Sequence, residues 1–158
     1  MVRSEERFRA AAAALGLSVE IRRFPEGTRT AQEAARAIGC GVGQIVKSLV
    51  FVADGSPFLA LTSGANRADV GRLAGIRRAQ QVRRATPEEV RDATGFVIGG
   101  TPPFGHARRL PVLFDPDLLR YEEVWAAAGT PDAVFPIAPQ ALVGLVGGDV
   151  VEFKESTG

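Results

Sequence analysis

The sequence predicts an α+β fold with a mixed sheet in one compact domain. Three observations predict it. Helix caps at Ser4, Thr30 and Thr86 open helical segments. Alternating apolar runs over 17–24, 44–52 and 133–137 have the two-residue period of strands. The two kinds of element are mixed without the regular alternation of a doubly wound α/β protein. A length of 158 residues suits a single domain with a sizeable core.

The elements follow in order. Ser4, with Glu5 and Glu6 in the first turn, starts a helix that runs to about residue 15 and ends at Gly16. Residues 17–24 alternate and read as a strand. Thr30-Ala31-Gln32-Glu33 is a capping box that opens a second helix, stopping near Gly39. The strand-like run over 44–52 turns at Asp54-Gly55 into a partner strand over 58–62. Residues 69–74 form a short helix. Thr86-Pro87-Glu88-Glu89 combines a cap, a proline at the first helical position and a carboxylate at the third; this helix ends before Gly95. A strand over 110–114 follows. Residues 121–128 are ambiguous by propensity. Gly129-Thr130-Pro131-Asp132 is a turn, 133–137 a strand, 139–146 a short helix and 150–153 a last strand.

Hydrophobic residues make up 46% and charged residues 23%, an ordinary globular balance. A net charge of +1 supplies no global field for nucleic acid. Local clusters exist at Arg22-Arg23, Arg77-Arg78, Arg83-Arg84 and Arg108-Arg109. A single Cys forms no internal disulfide, which suits the cytoplasm. No apolar run reaches membrane-spanning length, and the N-terminal residues lack a signal-peptide layout.

Lysine is nearly absent: there are 17 Arg but only two Lys, Lys47 and Lys154. Alternation puts Lys47 on one face with Ile45, Leu49 and Phe51. A cation on an apolar face must reach water, a partner or a ligand. A lysine snorkelling at a strand end and a functional lysine both satisfy that rule. The nearby Gly39-Cys40-Gly41-Val42-Gly43 is not a P-loop, because Val46 precedes Lys47 and the glycines lead into a strand. One His and one Cys cannot supply the usual zinc ligand sets. A Cys40–His106 nucleophile–base pair stays open. The stretch over 94–106 holds four glycines and two adjacent prolines. Such a loop either aims several N–H groups at one oxygen or makes a tight connection.

Three stretches recur in order and spacing in a known family: Gln44-Ile45-Val46-Lys47-Ser48-Leu49-Val50-Phe51, Ser63-Gly64-Ala65-Asn66-Arg67-Ala68-Asp69, and Thr94-Gly95-Phe96-Val97-Ile98-Gly99-Gly100-Thr101-Pro102-Pro103-Phe104-Gly105. On them the chain resembles the YbaK/prolyl-tRNA-synthetase-associated domain family of aminoacyl-tRNA deacylases. The similarity runs from Thr30 to the final strand. It implies one editing domain over 1–158, with a strongly curved mixed sheet, a partly closed barrel, flanked by helices. It also implies a cytoplasmic, free-standing trans-editing protein. The reaction would be hydrolysis of the ester of a mischarged tRNA, with tRNA-Pro as the expected tRNA. The aminoacyl-tRNA acceptor end is the implied partner, together with prolyl-tRNA synthetase.

The resemblance carries residue roles. Lys47 matches the lysine that contacts the tRNA terminus or the ester. Gly99, Gly100 and Thr101 fall in the catalytic loop, with Pro103, Phe104, Gly105 and His106 beside the substrate. Phe24 stands where several relatives have Tyr. Phe24, Thr28, Ser63, Gly64 and Ala65 are the expected walls of a small pocket for alanine, serine or cysteine, following double-sieve logic. Catalysis would rest on positioning, backbone donors and electrostatics, with the vicinal ribose hydroxyl helping to activate water and no metal or cofactor. Two rival readings are a non-catalytic tRNA- or synthetase-binding module on the same fold, and a thiol hydrolase using Cys40.

Overall fold

Asp54 and Gly55, with φ of 47° and 87°, join β2 (Val46–Ala53) to β3 (Ser56–Ser63). Positive φ at both positions is what a two-residue hairpin turn requires. The two strands pair along their whole length, from Val46 with Ser63 to Ala53 with Ser56. They form the middle of a five-stranded sheet. β4 (Val82–Arg84) lies antiparallel on one side of the hairpin. β5 (Val112–Phe114) and β8 (Asp149–Val150) lie parallel on the other. A second sheet has the order β1 (Arg22–Arg23), β7 (Ala133–Ile137), β6 (Val124–Ala127) and is antiparallel throughout. The computed structural model describes residues 3–24 and 30–156. Among these, an isolated parallel bridge between Ile45 and Trp125 links the two sheets.

The hairpin separates two layers of core because its side chains alternate. Val50, Val52, Leu59 and Leu61 enter the larger cluster, with Phe8, Phe104 and Phe135. Phe51, Ala53, Phe58 and Ala60 face the other way, under Leu73 and Phe153. Among the described residues, five α-helices cover these layers: α1 (Arg3–Ala14), α2 (Ala31–Ile38), α3 (Val70–Arg77), α4 (Pro87–Thr94) and α5 (Pro139–Val146). Thr30 caps α2 by accepting the Glu33 N–H, and Asp69 caps α3 by accepting from Gly71 and Arg72. Thr86 and Glu89 close a reciprocal capping box on α4. Gly39 and Gly95 end α2 and α4 in the left-handed conformation. No helix among the described residues is long and apolar enough to cross a membrane.

The α+β class is as expected, and four local expectations change. The strand over 17–24 shrinks to Arg22–Arg23, because Leu17, Val19 and Ile21 pack against the core while the Leu17 N–H bonds back to Ala12 O. The ambiguous segment is a strand, β6. The last strand is displaced to Asp149–Val150, and Lys154 forms its own bridge to Ala68. β4 carries no sequence signal: it is three residues long, two of them exposed arginines, and only Val82 reaches the core.

Candidate functional site

β2 and β6 diverge from the Ile45–Trp125 bridge, and β4 pairs with β2 only over Phe51 to Ala53. A cavity of about 360 Å³ opens where β2 lacks that neighbour. Its floor is β2 from Val46 to Val50. The loop residues Ile98, Gly99 and Thr101 form one side, and α2 and β6–β7 form the other. Five alanines, Ala31, Ala34, Ala126, Ala127 and Ala133, account for much of the wall and leave the space open. A second groove of about 380 Å³ lies on the opposite face of β2. Leu49, Phe51 and Val70 line it, with Arg67 and Arg84 among its charged residues. Lys47 and Arg84 border both spaces.

Lys47 Nζ donates to the Asn66 carbonyl at 2.6 Å. Among the described residues it forms no ion pair. Burial pushes its ammonium below the usual lysine range, and the like charges of Arg84 and Arg67 push the same way against a smaller pull from Asp115. An ammonium has three donors, so one described bond leaves the others for a ligand. Beside it, Ser48 Oγ is buried on the cavity wall without a hydrogen-bond partner. A buried hydroxyl in that state is an unfilled acceptor and donor.

The glycine loop is tied to itself. The Gly100 N–H donates to Val97 O at 3.0 Å, and Thr101 Oγ1 donates to the same carbonyl at 2.9 Å. Gly100 is therefore not free to donate to a ligand. The N–H groups of Gly99 and Thr101, on the cavity wall, make no bond among the described residues. Pro102 and Pro103 have no N–H to offer.

The expected site residues divide into two groups. Lys47, Gly99 and Thr101 border one cavity. Phe24 packs in the cluster behind Trp125 and Val134, one layer from it. Ser63, Gly64 and Ala65 are not cavity walls. Ser63 is buried, donating from Oγ to Gly43 O, and a Cβ on Gly64 would meet Val42 O at 2.4 Å. Pro103, Phe104, Gly105 and His106 also lie off the cavity. Phe104 is a core residue stacked on Phe8, and Gly105 passes so close to α1 that a Cβ would meet Ala11 Cβ at 2.7 Å. His106 Nε2 lies 2.7 Å from Pro102 O, which fixes the proton on that nitrogen. Burial holds its pKa below the ordinary value, with the Pro102 bond opposing. Thr28 lies outside the described residues.

Cys40 packs against the cluster of Ala34, Ala35, Ile45, Trp125 and Val134 and borders neither space. Burial raises its thiol pKa, the opposite of what an activated nucleophile needs. Most of the paired arginines work locally. Arg22 stacks on Trp125, Arg23 pairs with the buried Glu5, and Arg83 forks onto Glu89 at 2.7 and 2.9 Å. Sequence reading named Arg84 only within the Arg83-Arg84 pair and missed Ser48 and the alanine walls. Only the position of Ser48 beside Lys47 could have drawn attention beforehand.

Residues 25–145 match the family model of the aminoacyl-tRNA editing domain. The uncharacterized protein YwhH of Bacillus subtilis is 28% identical over 123 residues, 78% of each chain. EbsC of Enterococcus faecalis, named as a candidate Cys-tRNA(Pro)/Cys-tRNA(Cys) deacylase, is 26% identical over 130 residues, 82% of this chain and 79% of that one. A crystal structure of a candidate trans-editing enzyme for prolyl tRNA synthetase superposes with a TM-score of 0.93 at 48% identity, covering 99% of both chains.

Proposed function

Because the chain belongs to the aminoacyl-tRNA editing domain family, we propose that it hydrolyses the ester of a mischarged tRNA, tRNA-Pro carrying alanine, serine or cysteine. The observation that carries this reading is the Lys47 ammonium. Among the described residues it forms no ion pair, and Lys47 borders a cavity lined in part by five alanines. The aminoacyl group occupies that cavity, and the acceptor strand leaves past Arg84 and Arg67 over the second groove. The two sheets then act as a partly closed barrel around the aminoacyl group.

Water attacks the ester carbonyl, and the developing oxyanion lies against the Gly99 and Thr101 N–H groups and the Lys47 charge. The C–O bond to the ribose breaks, the ribose oxygen takes a proton, and the amino acid leaves as its carboxylic acid. The vicinal ribose hydroxyl orients the water. The chemistry uses no metal or thiol, in keeping with one His and one Cys in the whole chain. Prolyl-tRNA synthetase is the source of the mischarged substrate, and the protein acts in the cytoplasm.

The test is single-turnover deacylation of tRNA-Pro charged with alanine, serine, cysteine or proline, with and without chelator, beside Lys47→Ala and Cys40→Ala. Turnover of one small amino acid, lost only in Lys47→Ala, is expected. Binding of the charged tRNA without turnover would favour a non-catalytic module instead. Loss of activity on chelation or in folded Cys40→Ala would overturn the metal- and thiol-free chemistry.

A further inference from the structure

The two lysines of this chain are linked through one asparagine and the carboxylate of Asp117. Asn66 accepts Lys47 Nζ on its carbonyl, while its side-chain amide donates to Asp115 Oδ2 and Asp117 Oδ2, both at 2.8 Å. Asp115 is only 2% exposed, and its carboxylate also accepts the N–H groups of Ser63 and Asp117. Asp117 Oδ2 accepts Lys154 Nζ at 2.8 Å, so the second lysine supplies the neutralising charge. That lysine is carried there by the C-terminal tail, whose Phe153 O and Glu155 N–H bond to Asp69 N–H and Arg67 O. We propose that Asn66 is a positioning residue that keeps the Lys47 ammonium out of an ion pair, leaving its charge for the ligand in the cavity. What that charge is used for rests on the deacylase reading; the clamp does not.

The chemistry of the amide explains the choice of residue. Any residue at 66 would offer Lys47 its backbone carbonyl; asparagine adds side-chain donors for the two carboxylates and no charge of its own. Without the amide, Asp115 would regain a lone pair, and the flexible Lys47 ammonium, which its charge already attracts, would take it, while Asp117 keeps Lys154 at 2.8 Å. Such a pair would hold the charge that the cavity needs. The charged groups around Lys47 are Arg84 from β4, Arg67 and Asp69 after β3, Asp115 after β5 and Glu155 in the tail.

Two lysines make the test direct. In protein labelled with carbon-13 at lysine Cε, Lys154→Arg removes one signal and identifies Lys47. The Lys47 signal should titrate below the usual lysine range in the otherwise wild-type chain. In Asn66→Ala its midpoint should move up, as the ammonium pairs with a freed carboxylate. Deacylation in the same variant should fall about tenfold or more, the size of losing a supporting partner. Asn66→Ser, whose single hydroxyl serves only one carboxylate, should show the same direction and replaces Asn66→Ala if that chain does not fold. A folded variant whose Lys47 midpoint stays in place overturns the proposal, even if its activity falls. A fully active Lys47→Ala would remove Lys47 from the deacylase reading and leave the titration to judge the clamp on its own.

Discussion

Gly100 lies directly against the backbone of Thr130: a Cβ built on it would stand 2.9 Å from Thr130 Cα and 3.1 Å from Pro131 Cδ. The loop over 97–101 and the β6–β7 turn are thus pressed together main chain to main chain. Neither has a flexible side chain there that could give way.

This contact changes what Gly100→Ala should do. A Gly100 N–H free to donate to the substrate would make turnover fall more than stability. With the Gly100 N–H already bonded to Val97, the first effect is overpacking, worth about 1–3 kcal/mol. The melting temperature should fall by several degrees, and turnover should fall with it as Gly99 and Thr101 shift. Thermal melts and single-turnover rates on one sample check this. A melt equal to wild type would show that the two loops part without cost.

Lys47 should set stability and activity against each other above neutral pH. Its folded pKa lies below the ordinary 10.5, chiefly through burial. Between those two values the unfolded chain holds more protons, so stability rises with pH. Activity should fall over the same window as the ammonium is lost. Lys47→Met should melt higher than wild type and deacylate on the order of a hundredfold more slowly. Lys47→Arg should recover little, because a planar fork cannot reproduce the ammonium's geometry. Parallel pH profiles of melting temperature and rate check the signs. A rise in both through this window would remove the ammonium from the reaction.

Ser48→Ala should separate binding from folding. An unsatisfied buried polar group costs about 1–3 kcal/mol, so removing the Ser48 hydroxyl should leave stability unchanged or higher. Turnover should nevertheless drop by about tenfold, the worth of one ordinary hydrogen bond to the substrate. Unchanged kinetics would mean that the hydroxyl faces no substrate atom.

Ala127→Val should narrow the cavity. Ala127 is half-buried on β6, where a β-branched residue is well tolerated. One added branch in a pocket shifts discrimination by roughly 10–200-fold. Cysteine-charged tRNA should suffer more than alanine-charged tRNA. Competition between the two substrates measures the ratio, and an unchanged ratio would place the amino acid elsewhere.

Much of the frame was legible because its signals are local. The caps at Thr30 and Thr86, the left-handed Gly39 and Gly95 and the Asp54-Gly55 turn are each set within a few residues. Lys47 stood out because apolar alternation surrounds it. What stayed hidden depends on distant parts of the chain. Asp115 meets Asn66 across 49 positions, and no pattern around either predicts it. The cavity arises from the parting of β2 and β6, and an alanine in a strand reads the same on any wall. Ser63 and Gly64 looked like pocket walls because small residues suit one, yet close backbone approaches need small residues for the same steric reason.

The alanine walls have a consequence for how this protein can change. An alanine codon becomes a valine codon by a single base substitution. Ala31 and Ala127, the two of the five that are only half-buried, are therefore each one mutation from a tighter fit. A lineage under pressure to spare a new amino acid could reach that state without remaking the Lys47 side of the site. Among descendants of such a chain, selectivity should drift quickly while the reaction itself stays the same.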